Sequence, residues 1–203
     1  MTPTYLLYRL AKRLCKASPS HKISLVFDEV FLCIAVVLVC AKFLSEYFGF
    51  DIRLFFLCSL LIQGSRCIEI PFAFLSDALD KTRGCPEESN TSVATRIELS
   101  ILVYFELLLN YSLIYTFLPI SHWKVGNMCM EQMVVQNVVD QGNTLTALNS
   151  LYYSVVTATT LGYGDIQPVT NMAKFLSISE VLSSMVIIVI SIAVYSINRH
   201  NDN

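Results

Sequence analysis

Apolar runs dominate the chain, and their lengths set its elements. A helix that crosses a bilayer needs about 20 mostly apolar residues, and residues 24–47, 97–120 and 173–197 each supply such a run with few charges. A fourth run, 53–76, is interrupted by Arg66 and Glu69, and Pro71 is expected to kink it. It reads as a fourth span, or alternatively as a re-entrant or surface segment. Ahead of these runs, Leu6, Leu7, Leu10 and Leu14 fall at helical spacing, with Arg9, Lys12, Arg13 and Lys16 largely opposite. That pattern predicts an amphipathic helix over 2–16 lying in the membrane surface, the plainer alternative being a disordered basic tail.

Residues 121–171 never reach spanning length. They comprise a polar stretch (121–132), a Val-rich piece (Met133–Val139), a turn at Gln141-Gly142-Asn143, and a short amphipathic helix over 146–157. The segment TATTLGYGD (157–165) follows and leads into the last apolar run. Short helix, glycine-bearing loop, long helix: the order predicts a loop that enters the membrane and leaves on the same side. The predicted class is therefore an all-α membrane protein of four transmembrane helices plus a re-entrant helix. Its parts are a surface helix (1–22), a peripheral two-helix segment with its loop (23–95) and a pore domain (96–203). With one such loop and no internal repeat, a closed ring requires several chains.

Composition agrees: 54% of residues are hydrophobic and 15% charged, where soluble domains carry about 25% charged residues. Mean hydropathy is +0.56. A net charge of −2 gives no reason to expect a nucleic-acid partner. The seven cysteines (15, 33, 40, 58, 67, 85, 129) form no C-x-x-C and have no histidine at ligand spacing, so they read as small core residues. Cys129 alone is placed outside by the expected topology, either reduced or in an inter-subunit disulfide. No cleavable signal is evident.

Charge also orients the chain. Nine basic residues (Arg9, Lys12, Arg13, Lys16, Lys22, Lys81, Arg83, Arg96, Arg199) fall on one side of the four spans and four (Lys42, Arg53, Lys124, Lys174) on the other. The positive-inside rule then predicts cytoplasmic termini, with the Asn90-Thr91-Ser92 sequon in the cytosol and unglycosylated.

The loop carries the chemistry. A dehydrated K⁺ needs oxygens in place of water, and backbone carbonyls supply them. Successive carbonyls point one way only if the dihedrals alternate in hand, which glycine tolerates without steric cost; Gly162 and Gly164 sit at alternate positions. The Thr160 hydroxyl adds an oxygen, while Leu161 and Tyr163 can brace the loop from behind. Such backbone survives at membrane depth only when packed in protein or lining a water path. The preceding helix, roughly 18 Å long at 1.5 Å per residue, supplies the packing and aims its negative end at a cation.

Thr160-Leu161-Gly162-Tyr163-Gly164-Asp165, within LYYSVVTATTLGYGDIQPVT (151–170), resembles the signature filter of the K⁺ channel superfamily. The resemblance covers about the last 105 residues, and the placement of Glu180 resembles small prokaryotic two-span pore domains. It implies four stacked K⁺ sites in a tetramer, formed by the carbonyls of Thr160, Leu161, Gly162 and Tyr163 and the Thr160 hydroxyl. Gly164 completes the ion-binding segment. Asp165, Tyr152, Tyr153, Thr159 and Val156 would support it.

Departures from the family pattern are specific. Leu161 stands where valine is commonest. Tyr152 and Tyr153 replace a tryptophan pair that cuffs the filter, and Tyr152 is expected to bond Asp165. Val156 removes a glutamate that in some bacterial members pairs with the filter aspartate. Ser184, beside Ser183, occupies the usual hinge-glycine position of the last helix, so a wide hinge-opening gate is not expected; Ser183, Ser184 and Glu180 are the gating or cavity candidates.

Ionisable groups at membrane depth are functional candidates. Arg66 and Glu69 share a helix face and can neutralise each other, with Asp28 and Glu29 as alternative partners for Arg66. One deep arginine does not make a strong voltage sensor. Glu106, one turn before Asn110, is expected to face protein behind the pore helix. Glu180 is either a hydrogen-bonded carboxyl behind the filter or a cavity-lining charge.

The expected function is passive, K⁺-selective conduction with no cofactor beyond the permeant ion, and no enzymatic activity, since no nucleophile, metal cluster or phosphate loop appears. A K⁺-uptake transporter subunit, a non-conducting sensor and a weakly selective cation channel are the alternatives. Lipid and a separate regulatory protein are the expected partners, and a multi-pass position in the plasma membrane is the expected location.

Overall fold

The computed structural model describes residues 20–49, 53–82, 93–126 and 144–201, with side chains over 28–49, 59–75, 97–126 and 144–193. The predicted surface helix, the sequon, Cys129 and the Val-rich piece lie outside the described residues.

Four long helices and one short one make the body: α1 (Ser20–Phe48), α2 (Arg53–Thr82), α3 (Val93–Tyr115), α4 (Ala147–Ala158) and α5 (Asn171–Asn201). Among the described residues, Asp28–Phe48, Ile97–Tyr115 and Asn171–Ala193 are long and apolar enough to cross a membrane. The protein is thus an integral membrane protein with three such helices among the described residues, where the sequence predicts four spans. The difference is α2, in which Gln63, Ser65, Arg66 and Glu69 dilute the apolar run. It nevertheless continues as one helix through Pro71, although that residue has no amide to give to the Cys67 carbonyl.

Span three also ends earlier than expected, at Tyr115 rather than near residue 120. Pro119 disfavours helical geometry at the residue before it, and the amides of Phe117 and Leu118 bond back three residues, to Ile114 and Tyr115. The chain then makes a 3₁₀ turn, Ile120–His122, and a short strand β1 (Trp123–Val125). An all-α architecture is corrected here. β1 pairs antiparallel with β2 (Ile166–Pro168), in the register Trp123 to Pro168 and Val125 to Ile166. Three-residue strands, one ending in proline, carry no alternation that a sequence pattern could reveal.

Helix α3 is the hub. It packs against α1, α2, α4 and α5, and Leu107, Leu113 and Tyr115 on it are buried almost completely. The core continues through Cys67 and Ile70 of α2, Tyr153 of α4 and Ile187 of α5. At one end, Tyr115, Trp123 and Tyr153 meet edge to face at centroid separations of 5.4, 5.0 and 4.8 Å. Each such contact is worth about 0.5–1.5 kcal/mol beyond area burial, so the knot fixes the start of the pore loop against α3.

The peripheral helices attach to this hub by charge. Arg66 on α2 donates through Nε and Nη2 to the two carboxylate oxygens of Glu106 on α3, at 2.7 and 2.9 Å. The same Nη2 donates to Asp28 on α1 at 2.8 Å, and the guanidinium lies 4.6 Å over the Phe31 ring. Glu69, its neighbour in sequence, is the more distant partner at 3.8 Å. A fork that satisfies two carboxylates at once suits arginine and not lysine.

Candidate functional site

The pore helix α4 begins at Thr146, whose hydroxyl accepts the Asn149 amide in an N-cap. Its other end delivers residues 159–164. Thr159 donates its hydroxyl to the Val155 carbonyl at 2.6 Å. The Thr160 amide bonds the Thr157 carbonyl, and the Leu161 amide bonds the Val156 carbonyl, both at 3.0 Å. The free carbonyls of the last turn thus hold the amides of the strand that follows.

That strand alternates in hand. Thr160, Gly162 and Gly164 have φ of +58°, +56° and +78°, whereas Leu161 and Tyr163 between them are not in the positive region. Glycine takes such angles freely, but a β-branched residue there is an outlier that costs about 1–3 kcal/mol and persists only where its surroundings impose it. The left-handed Thr160 is not evident from the sequence. Its only signal is its place two residues before Gly162, in the rhythm that the glycines set.

Around the strand the two tyrosines part company. Tyr152 stacks on Tyr163, rings 12° from parallel and 6.5 Å apart, and its hydroxyl bonds Asp165. Tyr153 turns away into the aromatic knot and shares a hydrogen bond of 2.7 Å with Ser177 of α5. Val156 is buried, and its carbonyl receives the Leu161 amide. Beyond the strand, the Gln167 amide donates to the Gly164 carbonyl at 2.8 Å, and the Gly126 amide donates to the Asp165 carbonyl at 2.8 Å. Neither contact leaves a signal in the sequence.

Glu180 lies behind α4, wholly buried. Tyr115 donates to one of its oxygens at 2.6 Å and Ser154 to the other at 2.5 Å. Of its two expected positions, the structure shows the one packed behind the filter helix. Ser183 and Ser184 are also buried, and the Ser184 hydroxyl has no hydrogen-bond partner. Glu106 faces protein, and Asn110 is its neighbour at 3.5 Å. By contrast Leu161 and Tyr163 are 57% and 67% exposed, and Phe175, Ile178, Leu182, Met185 and Val189 form an exposed apolar stripe along α5. Among the described residues no group of histidine, cysteine or acidic side chains could hold a metal ion.

Comparison with known proteins agrees with this geometry. Residues 103–198 match the family model described as ion channel. "Two-pore potassium channel 1" of Arabidopsis thaliana is 31% identical over 64 residues, which cover 32% of this chain and 17% of that protein. No solved structure matches. These matches point to an ion channel rather than an enzyme. The chain spans far less than two thirds of that relative's length.

Proposed function

We propose that the chain is one subunit of a homotetrameric, K⁺-selective channel that conducts passively and without strong voltage dependence. The observation that carries this reading is the alternation of hand over residues 160–164, suspended from the carboxy end of a short buttressed helix. A strand of that kind can turn its carbonyl oxygens to one side, and four such strands around an axis replace the hydration shell of a monovalent cation. In this reading the carbonyls of Thr160, Leu161, Gly162 and Tyr163 and the Thr160 hydroxyl coordinate K⁺, with Gly164 at the outer mouth. The exposed Leu161, Tyr163 and α5 stripe supply surface for neighbouring copies. Tyr152, Tyr153, Thr159, Val156 and Asp165 support the strand. The channel sits in the plasma membrane, the filter mouth outward and both termini cytoplasmic. No cofactor is required.

Reconstitution into liposomes tests the proposal: K⁺ flux should exceed Na⁺ flux strongly, Ba²⁺ should block it, and the assembly should weigh four chains. Equal entry of Na⁺, or a monomeric particle, would refute it. Tyr152→Phe should keep the ring stack and lose the bond to Asp165, lowering single-channel conductance or speeding inactivation by about two- to tenfold. Currents identical to the parent would remove Asp165 bracing from the account.

A further inference from the structure

Helix α1 touches the pore module far from the Arg66 network as well. Its Glu46 carboxylate accepts the backbone amide of Ala147, at 2.9 and 3.1 Å from its two oxygens. Ala147 is the first residue of α4, a hundred and one positions along the chain. Lys42, one turn earlier on α1, holds the same carboxylate at 3.3 Å. First-turn amides have no partner inside their own helix. Here the local cap, Thr146, serves Asn149, and the first amide goes instead to another helix. An anion there also complements the positive end of the helix dipole.

We propose that Glu46 is a positioning residue for the filter: by gripping the amino end of α4, it sets the height and tilt of the helix from which the conducting strand hangs. This rests on the channel reading above and gives the peripheral helices a task within it. A twelve-residue helix is a rod about 18 Å long. Its far end holds the amides of Thr160 and Leu161 through the Thr157 and Val156 carbonyls, so displacement at Ala147 is delivered to the strand. Asp28 and Glu46 lie eighteen residues apart on α1, about 27 Å at 1.5 Å per residue. One helix therefore meets both the Arg66 network and the pore helix, and a regulator that shifted α1 would act on the filter directly.

The carboxylate and the amide can be removed independently. Ala147→Pro deletes the N–H at a first helical position, where proline is well tolerated, and Thr146, at φ −63° and ψ 156°, already has the geometry that a residue before proline prefers. In liposomes, Glu46→Ala and Ala147→Pro should each lower K⁺ flux per assembled tetramer by about three- to tenfold and reduce the K⁺/Na⁺ ratio. The double variant should be no worse than the poorer single one. Glu46→Gln, which keeps an acceptor oxygen, should retain more flux than Glu46→Ala. Unchanged flux and selectivity in Glu46→Ala, or losses that add in the double variant, would overturn the proposal. Amide exchange of the purified protein reads the grip without conduction: Ala147 should lose protection in Glu46→Ala, and retained protection is equally fatal. A parent that conducts no K⁺ while Ala147 behaves as expected would instead sink the channel reading.

Discussion

Gly162→Ala and Gly164→Ala should each reduce K⁺ flux by at least about 100-fold, with membrane insertion intact. Both glycines hold positive φ, where an alanine costs about 1–2 kcal/mol. In the fourfold ring proposed above that penalty recurs in every copy, and a tenfold change in an equilibrium needs only about 1.4 kcal/mol. Gly164 carries a second constraint: a Cβ there would lie 3.3 Å from the Gln167 side-chain nitrogen, which must give way and strain its bond to the Gly164 carbonyl. Gly49→Ala is the control. Gly49 has φ +74°, and a Cβ at that position would meet nothing within 4 Å, so the backbone penalty is alike but remote from the strand. Flux measured per assembled particle should fall by at least about 100-fold in the first two variants and by far less in the third, where the strain falls at the end of α1 and not within the strand. Equal losses in all three would mean that folding, and not the strand, sets the outcome.

Arg66→Met should be the most destabilising single change in the peripheral helices, by about 3–5 kcal/mol, because it leaves a buried carboxylate uncompensated. Glu106 is 1% exposed and takes both oxygens' bonds from Arg66, while Asp28 loses the same partner. Thermal unfolding in detergent should show a markedly lower midpoint. Adding Glu106→Gln removes the stranded charge and should restore much of the loss, since a buried ion pair is worth little net against neutral replacements. Arg66→Lys should fall between, having a point charge where the parent has a fork. A single variant as stable as the parent, or a double variant no better than the single, would show that the network does not hold the helices together.

How far these features can be read from sequence follows from what each kind of residue determines. The long helices are visible because apolar length alone specifies them. The filter is visible because glycine at alternate positions reports backbone hand locally. Partnerships between helices are not visible in this way. Periodicity places Arg66 and Glu69 on one face, and Asp28 within reach, but it does not say that Glu106 on α3 turns toward that face as the closest partner. Glu46 and Ala147 have no periodic relation at all. Tyr152 and Tyr153 look like one pair in the chain, yet adjacent helical residues point about 100° apart, so one serves the strand and the other the aromatic knot. The shortened third span and the small ribbon depend on Pro119 and on pairing between segments more than forty residues apart, which local patterning does not report.

The ribbon at the filter mouth has a mechanical corollary. The chain departs from it at Gly126, whose amide is bonded to Asp165, and returns at Thr144, bridged to Pro119. Those two bonds close the described scaffold on either side of the strand. A force applied at Gly126 would reach the Asp165 carbonyl through that bond, one residue beyond Gly164.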